Sequence, residues 1–139
     1  MAHRIEAAER PFAAVVVFTE TASPEELLEL LGELRGVSSL TAGANLLVDA
    51  SRLDVTGLSL TALRESAQVS VENPLPFLLG AVAIVANDYA EPLARHWAAQ
   101  FRALGGVAQT GVFATRAQAS RWLGVEPEDG QSSGPTSGK

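Results

Sequence analysis

The sequence has 139 residues, 47% hydrophobic and 19% charged, with a formal net charge of −6. That is the length of one domain with one core, and its acidic balance argues against nucleic acid or an anionic membrane as partner, since both need a basic footprint. The absence of cysteine excludes disulfides, thiol catalysis and thiolate metal sites, and the two histidines, His3 and His96, supply a zinc site poorly.

In chain order, residues 1–6 carry charge without the apolar stretch of a secretion signal, and residues 3–7 read as a short strand paired with the next one. Residues 12–19, built on Val15, Val16, Val17 and Phe18, form that next strand. Ser23, Pro24 and Glu26 then make a helix start: a serine cap, a proline at the first helical position and a glutamate placed to close a capping box. Leu27, Leu30, Leu31 and Leu34 share the inner face of this helix, Glu25, Glu29 and Glu33 the wet face, and Gly36 ends it.

Residues 45–49 read as a buried strand closed by Asp49. Leu60, Leu63 and Ala67 mark the inner side of a second helix, with Arg64, Glu65 and Gln68 outside. The link that follows carries Leu75, Phe77 and Leu78 together, where polar residues are expected; it either folds under the sheet or forms an exposed apolar lip. Residues 81–86 are wholly apolar and predict a strand covered on both faces. The apolar run 75–86 is broken by Pro76 and Gly80 and is too short to insert in a bilayer, so a soluble, cytoplasmic protein is expected.

Asp88 and Glu91 predict a second capping box, opening the longest helix. Along it Tyr89, Leu93, Trp97, Phe101 and Leu104 recur at helical spacing, and Gly105-Gly106 ends it. Residues 108–113 form a further strand, and Thr115 with Gln118 opens a last helix that packs Ala119, Trp122 and Leu123 and stops at Gly124. Residues 125–139 have a composition that predicts a disordered tail. Alternating strands and helices imply an α/β domain over residues 1–124: a mixed, mostly parallel sheet of four to five strands flanked by about four helices.

In such sheets functional loops gather at the carboxyl ends of the strands. Here that edge is expected to hold Asp49, Ser51, Asp54, Thr56, Gly57 and Ser59 from one loop, and Asn87 and Asp88 from another. Asp49, Asp54 and Asp88 could form a carboxylate cluster for magnesium, in a metal-dependent hydrolase or phosphotransferase; a strand-end, a turn and a helix cap explain the same three residues without a metal. Thr56-Gly57 before a helix could take a phosphate beside the helix N-terminus; the plain alternative is a turn with Thr56 or Ser59 as cap. Tyr89, Trp97 and Phe101 read as core rather than as a cofactor box. No glycine-rich dinucleotide fingerprint and no P-loop is present, so no cofactor is expected.

Two stretches resemble a known group. Ala81-Val-Ala-Ile-Val-Ala-Asn-Asp-Tyr-Ala-Glu-Pro-Leu-Ala-Arg95, and Gly111-Val-Phe-Ala-Thr-Arg-Ala-Gln-Ala-Ser-Arg-Trp-Leu-Gly124, are similar to the SpoIIAA-like family of bacterial STAS-type domains, grouped with the Sec14/CRAL-TRIO architecture. Asn45 to Asp49 matches that group's apolar strand closed by aspartate, and the likeness covers residues 12–124. The resemblance implies a non-catalytic regulatory or interaction module. In the anti-sigma antagonists of the wider fold an Asp-Ser-Ser-Gly-Leu segment carries a phosphorylated serine. Asp54-Val-Thr-Gly-Leu58 stands nearby, with Thr56 in the acceptor position, Val55 in place of a serine, and a shorter loop back to Asp49.

The resulting expectation is a protein-binding module whose partner is of the kinase or anti-sigma type, with a homodimer left open. The alternative is a carrier of a small apolar or lipid-like ligand, held between the sheet and segment 74–79 by Phe77, Leu78 and aromatic residues of the long helix.

Overall fold

The computed structural model describes residues 3–6, 11–20, 23–38, 40, 43–72, 80–106 and 108–124. Segment 73–79, with Leu75, Phe77 and Leu78, and the tail 125–139 lie outside the described residues. Five strands form one sheet in the order β1-β2-β3-β4-β5: β1 (His3–Glu6), β2 (Ala14–Phe18), β3 (Leu46–Ala50), β4 (Ala81–Ala86) and β5 (Gln109–Phe113). β1 runs antiparallel to β2, and the other neighbours are parallel. The result is a single α/β domain with a mixed, mostly parallel sheet.

Sequential parallel strands joined by right-handed crossovers put every connecting helix on the same face. Helices α1 (Pro24–Arg35), α2 (Leu60–Glu72) and α3 (Glu91–Ala103) accordingly cover one face, where their buried residues form one cluster with Val16, Phe18, Leu46, Val82 and Ile84. Helix α4 (Arg116–Trp122) follows the last strand and covers the other face, against Val15, Val17, Leu47, Ala83 and Val85. The two sets are the alternating residues of the same strands, which is why β2 and β4 are apolar throughout and buried at every position.

The helix starts agree with their sequence signals in part. Ser23 Oγ accepts the Glu26 N–H at 3.1 Å, and Thr115 Oγ1 accepts that of Gln118 at 3.1 Å. The Glu26 carboxylate does not close a capping box; it lies 2.6 Å from His3 Nδ1 on β1 instead. The cap predicted at Asp88 is not formed either. Asn87 Oδ1 accepts the N–H groups of Tyr89 (2.9 Å) and Ala90 (2.8 Å), one residue earlier, and α3 begins at Glu91 without a side-chain cap of its own. Tyr89 therefore precedes the helix, leaves its apolar stripe and is 82% exposed. Leu60, at the first position of α2, is likewise 55% exposed. Among the described residues no helix is long and apolar enough to cross a membrane.

Candidate functional site

The carboxyl ends of β3 and β4 meet in a knot of polar bonds. Asn87, just past β4, donates through Nδ2 to the carbonyls of Ser51 (3.0 Å) and Leu53 (3.3 Å), tying the loop after β3 to the turn that opens α3. With its Oδ1 already committed to Tyr89 and Ala90, the Asn87 amide is fully occupied as a structural clasp.

Asp49 lies two residues after Leu47 on β3 and so shares its side, the α4 face of the sheet. Its Oδ2 accepts from Arg116 Nε (2.9 Å) and lies 2.8 Å from Arg116 Nη2, at the first turn of α4. Its Oδ1 accepts the Ser51 N–H (3.0 Å) and hydroxyl (2.6 Å). Burial works to raise the Asp49 pKa, but the bonds from Ser51 and the Arg116 guanidinium outweigh it and hold the carboxyl below its ordinary range. Glu6 of β1 stands 4.0 Å from the same guanidinium.

Asp54 is turned the other way, into its own loop. Its Oδ1 accepts the Thr56 N–H (3.0 Å) and hydroxyl (2.6 Å), and these two bonds lower its pKa at a fully exposed position. Thr56 and Gly57 lie in a 3-10 turn, Val55–Gly57, rather than on α2. It is Ser59 that caps α2, accepting the Ala62 N–H at 3.0 Å. Asp88 is exposed beside Asn87. Asp49, Asp54 and Asp88 thus share an edge without converging, and among the described residues no three His, Asp or Glu side chains come together to hold a metal ion.

Beneath this edge, between the sheet and the three helices, lies a cavity of about 140 Å³. Its floor is Phe18, Leu46, Val48, Ala50, Val82 and Ile84 of the strands. Leu27, Leu30, Leu31 and Leu34 of α1 form one wall, and Leu63 of α2 with Leu93, Ala94 and Trp97 of α3 form the others. Leu53 and Leu58, which flank the Thr56 turn, complete the lining with Ala90, so the polar loop roofs the cavity. The polar side chains in the lining are Ser66 and Ser70 of α2 and the Trp97 indole, whose Nε1 donates to Ser66 Oγ at 3.3 Å. Trp97 also stacks on Phe101, at 5.1 Å between centroids and 13° between planes. Of the residues expected to line an apolar pocket, Trp97 does so and Tyr89 does not.

Three participants carried no sequence signal that was read as such. Arg116 follows the Thr115 cap at the edge where Asp49 needs a counter-charge, and that need was the available hint. Ser66, buried at 8% exposure, interrupts the inner side of α2 between Leu63 and Ala67. His3 has a fully buried side chain clamped between Glu26 (Nδ1, 2.6 Å) and Glu33 (Nε2, 3.0 Å) of α1. Burial alone would lower the His3 pKa; the bonds to both carboxylates, with their charges, raise it above the ordinary value. This clamp ties the edge strand β1 to the helix that walls the cavity.

No protein-family model matches the chain. No curated protein matches it either. Among solved structures, it is similar to an uncharacterised protein of the DUF3478 family with a SpoIIAA-like fold from Shewanella loihica, at 21% identity and a TM-score of 0.56, over 88% of this chain and 92% of that one. With that coverage and the strand order above, the chain has the SpoIIAA-like fold.

Proposed function

We propose that the protein is a non-catalytic binding module of SpoIIAA-like type, which holds a small apolar ligand between its sheet and helices and presents the loop over that ligand to a protein partner. The observation that carries this reading is the cavity of about 140 Å³ walled by leucine, valine, isoleucine and tryptophan. An apolar space of roughly 150 Å³ takes up a benzene-sized guest. The volume therefore suits a compact ring or a short branched chain, not a whole lipid. The polar edge favours binding over chemistry: Asp49, Asp54 and Asn87 are each spent on local partners, so none of the three is a general base aimed at the cavity.

Ligand binding is tested by chemical denaturation with and without benzene as probe. Benzene is expected to raise the midpoint in the wild-type protein, and the rise is expected to vanish in Ala94→Phe, which fills the void from α3. No rise in the wild type, or an equal rise in the filled variant, sinks the cavity reading.

A second reading, a phosphorylation switch at Thr56, is favoured by the exposure of that residue on a turn whose flanking Leu53 and Leu58 line the cavity. A phosphate there would break the Thr56–Asp54 bond and meet the Asp54 charge, displacing the roof. Incubation with a kinase from the host that leaves the mass unchanged, with partner binding unaffected in Thr56→Glu, rejects the switch. The exposed Tyr89 at the same rim is the kind of side chain protein interfaces use, which suits the partner-facing role.

A further inference from the structure

Among the described residues one donor lining the cavity has no acceptor. Ser66 is a buried residue of α2, and its Oγ accepts the Trp97 N–H at 3.3 Å. A hydroxyl also carries a proton to give. The neighbouring Ser70 hydroxyl has given its own to the Ser66 carbonyl at 2.9 Å, and among the described residues no acceptor takes that of Ser66. Burying a donor without an acceptor is costly, so native interiors rarely leave one unmatched. Water entering through the pocket's mouth is a poor recipient: beside Ser66 the wall is almost entirely hydrocarbon and offers it little else to bond.

We propose that the ligand is a compact apolar molecule bearing a single hydrogen-bond acceptor, a ketone, ether or ester oxygen, which the Ser66 hydroxyl takes. This rests on the cavity reading above and adds the chemical class of the guest. Trp97 stacks on Phe101 and spends its indole proton on Ser66 Oγ, which leaves the Ser66 proton as the donor available to the pocket. The body of the guest meets leucine side chains, so a charged or multiply polar molecule would leave buried groups unmatched and is rejected.

The test compares cyclohexanone with methylenecyclohexane, a probe of the same shape without the oxygen, in two variants. Trp97→Phe keeps the hydroxyl and removes the indole donor; Trp97→Phe/Ser66→Ala removes both donors. Affinity is read from the rise in denaturation midpoint, and the bond from the infrared carbonyl stretch of bound cyclohexanone. In the double variant cyclohexanone is expected to bind about tenfold more weakly than in Trp97→Phe, with its stretch moved to the higher wavenumber of a ketone in hydrocarbon. Methylenecyclohexane is expected to bind both variants alike, which also shows that both are folded.

If the two probes respond alike to the loss of Ser66, or only the hydrocarbon binds, the acceptor proposal is overturned and the cavity reading stands. If neither probe binds the wild-type protein, both fall together.

Discussion

The two faces of the sheet use alternate residues of the same strands and are covered differently. On one face a helix of seven residues seals Val15, Leu47, Ala83 and Ala119 to zero exposure. The fit is tight: Phe113 and Trp122 meet at 5.2 Å, and a Cβ added at Gly111 would come within 2.7 Å of the Phe113 ring. On the other face three longer helices line, among the described residues, a half-open apolar pocket of about 140 Å³. Apolar side chains facing such a pocket forgo contacts that a filled core would supply. A chain able to pack one face to closure and leaving the other open has given up stability where it needs room. The contrast therefore supports a binding role for the three-helix face and a structural one for the α4 face.

The largest effect that tests this contrast is on the sealed face. Leu47→Ala is expected to cost about 2–5 kcal/mol in urea denaturation, because the neighbours there have no slack to exploit. A loss well below that range would mean that the α4 face is looser than its burial implies. Next come additions of volume, expected to act with opposite signs. Ala119→Leu overfills the sealed face and is expected to destabilise by about 1–3 kcal/mol, whereas Ala94→Phe enters the void and is expected to stabilise by about 0.5–2 kcal/mol. If both destabilise alike, the cavity is not real space and the contrast between the faces collapses.

The reason this contrast was hidden in the sequence is physical. Periodicity reports which residues face inward, and it located all four helices, the five strands and the sealed face's Ala119 and Trp122. It does not report whether the inward residues meet. Leu27, Leu30, Leu31 and Leu34 give the same stripe whether the space before them is filled or empty. Pairings over long separations were equally invisible: Asp49 finds Arg116 across 67 residues, and Glu26 turns from its cap to His3 across 23. Helical spacing extends past the point where the helix begins and so places Tyr89 on it; only the Asn87 clasp fixes that point at Glu91.

The Asp49–Arg116 pair binds α4 to the end of β3, so it sharpens the structural half of the comparison. Arg116→Gln is expected to cost about 1 kcal/mol, since the guanidinium is a third exposed and solvent screens the pair. The Asp49 pKa is lowered in the fold, so its contribution is present above the ordinary carboxylate pKa and is lost as pH falls through the folded value. The variant's deficit in denaturation midpoint should therefore be seen at neutral pH and shrink in acid. A deficit independent of pH would assign Arg116 to packing alone.

The smallest effect concerns the open face, where His3 fastens β1 to the α1 wall of the cavity. The folded His3 pKa is raised, so the protonated form is the one the fold favours. Its contribution is fully present below the unfolded value and is lost as pH rises through the folded one. Denaturation midpoints should thus decline from about pH 6.5 upward in the wild-type protein. In His3→Gln, which has no proton to lose in that interval, they should stay level. Glu26 and Glu33 face the ring from α1, and Phe18 lies beside it at 6.0 Å on β2. If the clamp holds the α1 wall in place, the benzene-induced rise in midpoint should also weaken over the same pH interval in the wild type and not in His3→Gln. A slope in stability without that weakening would separate the clamp from the cavity and confine His3 to holding the sheet's edge.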